Sequence, residues 1–245
     1  MKQIVCMKWG TLYGAEYVNK LYGMAKRNVS GEFRFVCLTD DPTGVRKEVE
    51  CLACPTVDIP APFNNTGWRK ITLWAATLPE MTGSWLFLDL DVVITGNLDE
   101  FFTYRPELDF VVMKNWTQPN SGIGNTSVYR FKVGSYPKLL AELIKRPLAI
   151  VDEFTNEQTF VCKRISLTEF WPDPWCLLFK VHCVPPMPLR WWKEPVLPET
   201  AKVIAFPGDP NPDMALLGQW PYKKFYKGLY KKILPTTWVK EHWRE

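Results

Sequence analysis

Residues 85–94 read Trp-Leu-Phe-Leu-Asp-Leu-Asp-Val-Val-Ile, apolar at every position except Asp89 and Asp91. Such a run reads as a strand buried on both faces, which needs layers of structure on either side of its sheet. Alternate side chains of an extended chain point the same way, so the two carboxylates converge on one point. Ligands of open α/β sheets sit outside the carboxyl ends of the strands, where this pair falls. Two hard oxygen ligands there suit Mg²⁺ or Mn²⁺ shared with a phosphate-bearing ligand. The same spacing also serves two strand-end aspartates that cap the next turn.

The segments before this run place it in a sheet. Ile4 to Met7 reads as a first strand, and Gly14 to Arg27 carries Tyr17, Val18, Leu21 and Ala25 at helical spacing. Phe33 to Leu38 reads as a second strand and ends at the turn signal Thr39-Asp40-Asp41-Pro42. Val49 to Leu52 reads as a short third strand, and Thr66 to Leu78 as a helix with Trp68, Ile71, Ala75 and Leu78 on one face. This β-α-β-β-α-β order predicts an α/β protein with a mostly parallel central sheet flanked by helices. Further on, Phe110 to Met113, Ser127 to Phe131 and Val203 to Phe206 read as strands. A helix is predicted from an N-cap at Ser135 to about Arg146, and a short one over Asn156 to Lys163. The segment from Trp171 to Pro198 is rich in Pro and Trp and reads as packed loops. With 245 residues and no clear linker, one continuous domain is expected.

Charge narrows the partners. The chain carries net +4, but residues 220–245 alone carry seven basic and two acidic side chains, which leaves the other 219 residues at −1. That distribution argues against a nucleic-acid binder. In 220–234, Tyr222, Phe225, Tyr226, Leu229, Tyr230, Ile233 and Leu234 follow a helical period, with Lys223, Lys224, Lys227, Lys231 and Lys232 on the remaining face. This predicts a basic amphipathic helix that either lies on an anionic membrane surface or docks on the core with its lysines in water. No apolar run is long enough to span a bilayer and the start does not read as a signal peptide, so the expected location is cytoplasmic. The seven cysteines then default to reduced thiols, and the spacing of Cys51, Cys54, Cys176 and Cys183 matches no standard zinc pattern.

Three more groups bear on chemistry. The loop Asn120-Ser121-Gly122-Ile123-Gly124-Asn125 offers close backbone approach and both donors and acceptors, which suits sugar hydroxyls as well as an ordinary turn. Asp152-Glu153 and Glu157-Gln158 gather polar groups near a helix start, either for proton transfer and hydroxyl binding or to complement the helix dipole. Trp68-Arg69-Lys70 places two cations before the aspartate run, to neutralise a diphosphate or to form a solvated face.

Together these pieces resemble the GT-A glycosyltransferases, and in particular the superfamily of glycogenin, bacterial lipopolysaccharide galactosyltransferases and short polysaccharide-locus glycosyltransferases. The segments that carry the resemblance are Cys6 to Gly14, Phe35 to Asp41, Gly67-Trp68-Arg69-Lys70, Phe87 to Asp91, Asn120-Ser121-Gly122 and Trp238 to Trp243. The resemblance implies a single GT-A (Rossmann-like) domain with a nucleotide-binding half in 1–115, an acceptor half in 116–219 and the basic tail in 220–245. It implies Mn²⁺ or Mg²⁺ on Asp89 and Asp91, and base and ribose of a nucleotide sugar, a UDP-sugar by preference, at Trp9, Thr11, Tyr13 and Asp40. It implies Arg69 and Lys70 near the phosphates and sugar, Asn120 and Ser121 under the sugar, and Glu157-Gln158 near the reacting carbon. The acceptor would be a saccharide or a lipid-linked sugar, and the setting cell-surface polysaccharide synthesis.

The segment Phe206 to Pro212 departs from the family pattern. A metal-binding His often precedes its Gly, and here Pro207 stands there; Asn211 replaces a basic residue. Asp209 or water would have to complete the metal's shell. Two rival readings are a haloacid-dehalogenase-like phosphohydrolase, with the first Asp as nucleophile, and a non-catalytic sugar-binding protein.

Overall fold

The computed structural model describes residues 1–60, 63, 66–165 and 169–245. Strands β1 (Lys2–Lys8), β2 (Phe33–Thr39) and β3 (Glu50–Ala53) run parallel and side by side, and helix α1 (Ala15–Asn28) makes the crossover from β1 to β2. On the other side of β1 lies β4 (Ser84–Leu88), also parallel. The sheet continues through β7 (Gly124–Lys132) and β6 (Phe110–Lys114), each antiparallel to its predecessor, to β8 (Glu169–Phe170). The order is β3-β2-β1-β4-β7-β6-β8. The expected α/β class, with a mostly parallel central sheet flanked by helices, is therefore present.

The alternation of side chains builds two cores from one sheet. Ile4, Cys6, Leu86 and Leu88 face α1 and belong to one apolar cluster, while Val5, Met7, Trp85 and Phe87 face the opposite layer and belong to the other. Both faces are covered, which is why the strands read as nearly unbroken apolar runs. The second layer is made by the 3₁₀ segment Gly67–Trp74 and by helices α3 (Lys138–Lys145) and α5 (Glu157–Arg164).

The long apolar run is not one strand. β4 stops at Leu88, Asp89 still bonds from its backbone N–H to Ser127 O at 2.9 Å, and the chain then turns into β5 (Val92–Ile94). β5 belongs to a second, three-stranded sheet with β10 (Val203–Ala205) and β9 (Cys176–Leu178), in the order β5-β10-β9. Asp89 and Asp91 thus sit where the chain changes sheets, not on alternate positions of one strand. A strand pattern cannot show this, because both sheets bury their faces equally.

Other expectations shift in detail. The helix expected over 66–78 is a 3₁₀ segment that ends at Trp74, with Ala75 already extended. Ser135 caps no helix; its hydroxyl bonds to Lys132 O, and α3 begins after Pro137. Asp152 and Glu153 close α4 (Pro147–Glu153) instead of opening a helix, and Glu153 pairs with Arg164. Asn156, by contrast, caps α5, its side chain accepting from Thr159 N.

The amphipathic helix over 220–234 does not form. Only a 3₁₀ turn, Phe225–Leu229, is present. Pro221 and Pro235 bracket the segment, Gly228 lowers helix propensity, and the Tyr222 ring packs where a Cβ on Gly228 would stand, 2.7 Å away. The chain folds back on itself, with Lys231 Nζ bonded to Pro221 O at 2.8 Å. Tyr222, Phe225, Tyr226, Leu229 and Tyr230 remain exposed, while Ile233 is buried. Among the described residues no helix is long and apolar enough to cross a membrane.

Candidate active site

Three chain segments meet at the carboxyl ends of β1 and β4. The loop after β1 brings Trp9 to Tyr13, the start of the 3₁₀ segment brings Gly67 and Lys70, and the turn after β4 brings Asp89 to Asp91. They line a cleft of about 460 Å³. Trp9, Thr11, Tyr13, Lys70, Asp89 and Asp91 were expected at the site from the sequence, and the fold brings all six to this one cleft.

Lys70 is the cation at its floor. The residue is 9% exposed, and its Nζ lies 2.8 Å from Asp89 and 3.7 Å from Glu157, with a further bond to Thr126 O at 3.2 Å. Burial alone would push its pKa down, but the Asp89 and Glu157 carboxylates outweigh that and raise it, so the ammonium stays charged. Burial raises the Asp89 carboxyl against the pull of Lys70, although its side chain keeps 21% of its surface exposed.

Among the described residues Asp91 enters no ion pair, although Lys70 favours its charged form from farther away. Its Oδ2 accepts from the Tyr13 hydroxyl at 3.2 Å. Burial, and then the charge of Asp89, push its carboxyl up to about 7. The same two aspartates, added to burial, raise the Tyr13 phenol well above its usual value. Tyr13 is therefore a neutral donor to Asp91, and it lines the cleft as well.

A buried carboxylate beside a partly buried one, with a single ammonium bonded to the second, leaves negative charge uncompensated. A hard divalent cation fits this donor set by charge and by ligand type. Among the described residues no third His, Cys, Asp or Glu joins them. Asp209, a possible substitute for the His, is exposed and does not enter the group.

Glu157 is held rather than free. The Thr126 hydroxyl donates to its Oε1 at 2.5 Å, and Lys70 Nζ lies 3.7 Å from the same oxygen. A Cβ on Gly67 would come within 2.9 Å of Glu157 Oε2, so glycine permits this approach. Gln158 is half-buried in the first turn of α5, outside the lining of the cleft.

The remaining expected residues stand at the rim or beyond. Asp40 Oδ2 accepts from Gly10 N at 3.0 Å and lies 3.9 Å from Arg69, so these two brace the loop after β1. Asn120 and Ser121 are exposed and do not line the cleft. The Ser121 hydroxyl closes its own turn onto Gln118 O at 2.7 Å. Thr126, which ties Glu157 and Lys70 together, was not legible: a threonine inside a strand carries no signal of its own.

Comparison with solved structures finds glycosyltransferases. The chain overlays the galactosyltransferase LgtC, solved with donor and acceptor sugar analogues, at a TM-score of 0.58 and 12% identity, covering 86% of this chain and 88% of that one. GlyE of Streptococcus pneumoniae TIGR4 gives 0.57 at 13% identity, over 94% of this chain and 60% of GlyE. The bifunctional glycosyltransferase WbbM gives 0.57 at 13% identity, over 98% of this chain and 50% of WbbM. This chain thus spans only part of the last two proteins. It has the GT-A glycosyltransferase fold. No protein-family model matches the sequence, and no curated protein matches it.

Proposed function

We propose that this protein transfers a hexose from a nucleotide sugar, a UDP-sugar by preference, to a saccharide or lipid-linked acceptor. The observation that carries the reading is the Asp89–Asp91 pair beside Lys70 and Tyr13 in one cleft of a GT-A fold. LgtC, of the same fold, was solved with donor and acceptor sugar analogues, and an active-site Gln-to-Glu variant of it is also known. The second fact favours a role for Gln158, the one glutamine on α5.

Each residue has a task in this reading. Trp9 and Thr11 would bind the base and ribose at the cleft mouth. Asp89 and Asp91 would hold Mn²⁺ or Mg²⁺. Such a cation supplies electrostatic stabilisation of the leaving diphosphate. Tyr13 keeps Asp91 oriented, and its hydrogen bond favours the ionised carboxylate. Lys70 fixes Asp89 and favours its ionised form. Glu157, tied to Thr126 and Lys70, presents negative charge where a sugar carbon would become positive, by analogy with carboxylates in glycoside hydrolysis.

The phosphohydrolase reading loses its support, because the fold is GT-A and Asp89 follows the fourth strand rather than the first. The exposed aromatics of 222–230 with their lysines favour contact with an anionic membrane surface, where a lipid-linked acceptor for polysaccharide would be presented. The decisive experiment is a thermal-shift screen of nucleotide sugars with and without Mn²⁺, followed by donor hydrolysis. A true donor stabilises the folded state and is consumed. Stabilisation without turnover would leave the non-catalytic sugar-binding reading; no stabilisation by any nucleotide sugar would refute both.

A further inference from the structure

The small sheet brings a second cation, Lys180, to the turn that borders Asp91. Ala205 of β10 pairs with Val92 of β5 on one side and with Leu178 of β9 on the other. One step beyond that row stand Asp91, Phe206 and Phe179. Phe206 N donates to Asp91 O at 3.0 Å, and the Phe206 and Phe179 rings stack at 4.4 Å. The residue after Phe179 is Lys180. Its Nζ donates to Pro207 O at 2.5 Å and to Asp209 O at 3.1 Å, which brings the ammonium onto the turn that follows β10.

This turn is where the chain departs from the family it resembles, with Pro207 and Asn211 in place of a His and a basic residue. Asn211 Oδ1 lies 3.5 Å from the Tyr13 hydroxyl, so the turn borders Asp91 through Tyr13 as well as through Phe206. We propose that Lys180 binds the leaving diphosphate of the donor, its charge delivered from the segment after β9 instead of from the turn after β10. The inference rests on the transferase reading above.

Charge and geometry support the assignment. Asp89 and Glu157 share the Lys70 ammonium, Asp91 adds a third carboxyl nearby, and a diphosphate brings more negative charge. An ammonium half-withdrawn from water is costly unless oxygen acceptors surround it. Among the described residues the hydrogen bonds of Lys180 go to carbonyl oxygens and none to a carboxylate. It therefore keeps its full charge available to an anion. Burial, and then Lys231 nearby, press its pKa down, while Asp209 and Asp91 oppose this. An ammonium held only by carbonyl oxygens, on a turn that borders Asp91 through Phe206 and Tyr13, fits a polyanionic group.

The test is a ladder of nucleotides. Binding of UDP, UMP and uridine, with GDP, CDP and ADP as further arms, is measured by calorimetry in Mn²⁺ for wild type, Lys180→Gln and Lys180→Arg. Lys180→Gln should weaken the bound diphosphate about tenfold or more and leave uridine unchanged, as expected for a lost charge-assisted bond. Lys180→Arg should restore most of the loss. Equal losses across UDP, UMP and uridine, or no loss, would mean that Lys180 only pins the turn, and would overturn the proposal while the transferase reading stands. If wild type binds no nucleoside diphosphate, that reading falls and takes this inference with it. Should Lys180→Gln not fold, amine labelling of wild type decides. UDP with Mn²⁺ should slow modification of Lys180, read by peptide mass spectrometry, and uridine should not; equal rates overturn the proposal.

Discussion

The Tyr13 hydroxyl donates to Asp91 Oδ2 at 3.2 Å and so ties the loop after the first strand to the point where the chain changes sheets. Among the described residues Asp91 enters no ion pair, and burial with the neighbouring Asp89 charge pushes its carboxyl up to about 7. The folded-state pKa is above the unfolded one. Between pH 4 and 7 the folded protein therefore keeps a proton that the unfolded chain has lost, and stability declines as pH rises through that window.

Asp91→Asn removes this burden. Without added metal at pH 8, the variant should melt above wild type, by up to about 4 kcal/mol of stability. The gap should close by pH 4. It should also be inactive, since one of two charged ligands is gone. Melting curves at the two pH values and a transfer assay check both halves. An active Asp91→Asn enzyme would remove the metal from this site.

Lys70→Met should do the opposite to stability. It leaves Asp89 and Glu157 without their shared cation in a buried place. Breaking a buried pair this way costs about 3–5 kcal/mol, or roughly 10 °C in a chain of this size. Adding Asp89→Asn to Lys70→Met should recover part of that loss. A Lys70→Met protein that melts with wild type would show that the pair has little energetic weight.

Gln158→Ala and Glu157→Gln should separate rate from fold. Gln158 follows Glu157 in the first turn of α5, and in the transferase reading it acts mainly on the transition state, so its loss should lower kcat about tenfold and leave nucleotide affinity nearly unchanged. Glu157 is bonded to Thr126 and lies beside Lys70, so Glu157→Gln should lower the melting temperature as well as the rate. Steady-state kinetics with nucleotide titrations distinguish the two. A large loss of nucleotide affinity in Gln158→Ala would place that residue with the donor instead.

The aromatic and basic segment 222–232 should bind vesicles that contain anionic lipid. Each lysine near such a surface contributes on the order of 1 kcal/mol, so the five together suffice for reversible attachment. Flotation should weaken with salt and disappear when Lys223, Lys224, Lys227, Lys231 and Lys232 become Gln. Equal flotation with neutral lipid would shift the explanation to the exposed aromatics alone.

Much of this protein was legible in its sequence, and for one reason. Unbroken apolar runs and helical spacing report what is buried, so the first strands, α1 and the layered sheet could be read directly, while the run over 85–94 hid a change of sheet. The residue types of the cleft were legible as well, because carboxylates and lysines within apolar segments have few other uses. Spacing says nothing about which element a side chain meets across space. Only the fold decided that Lys70 bonds Asp89, that Tyr13 serves Asp91, and that Thr126 holds Glu157. Local pattern also misled at the tail, where a helical period was overridden by Pro221, Pro235 and the packing of Tyr222 on Gly228. It was silent on Lys180, which the fold ties to the turn after β10 because β9 and β5 flank that strand. Hydrophobic patterning determines what is buried, and strand order alone determines which charges meet there.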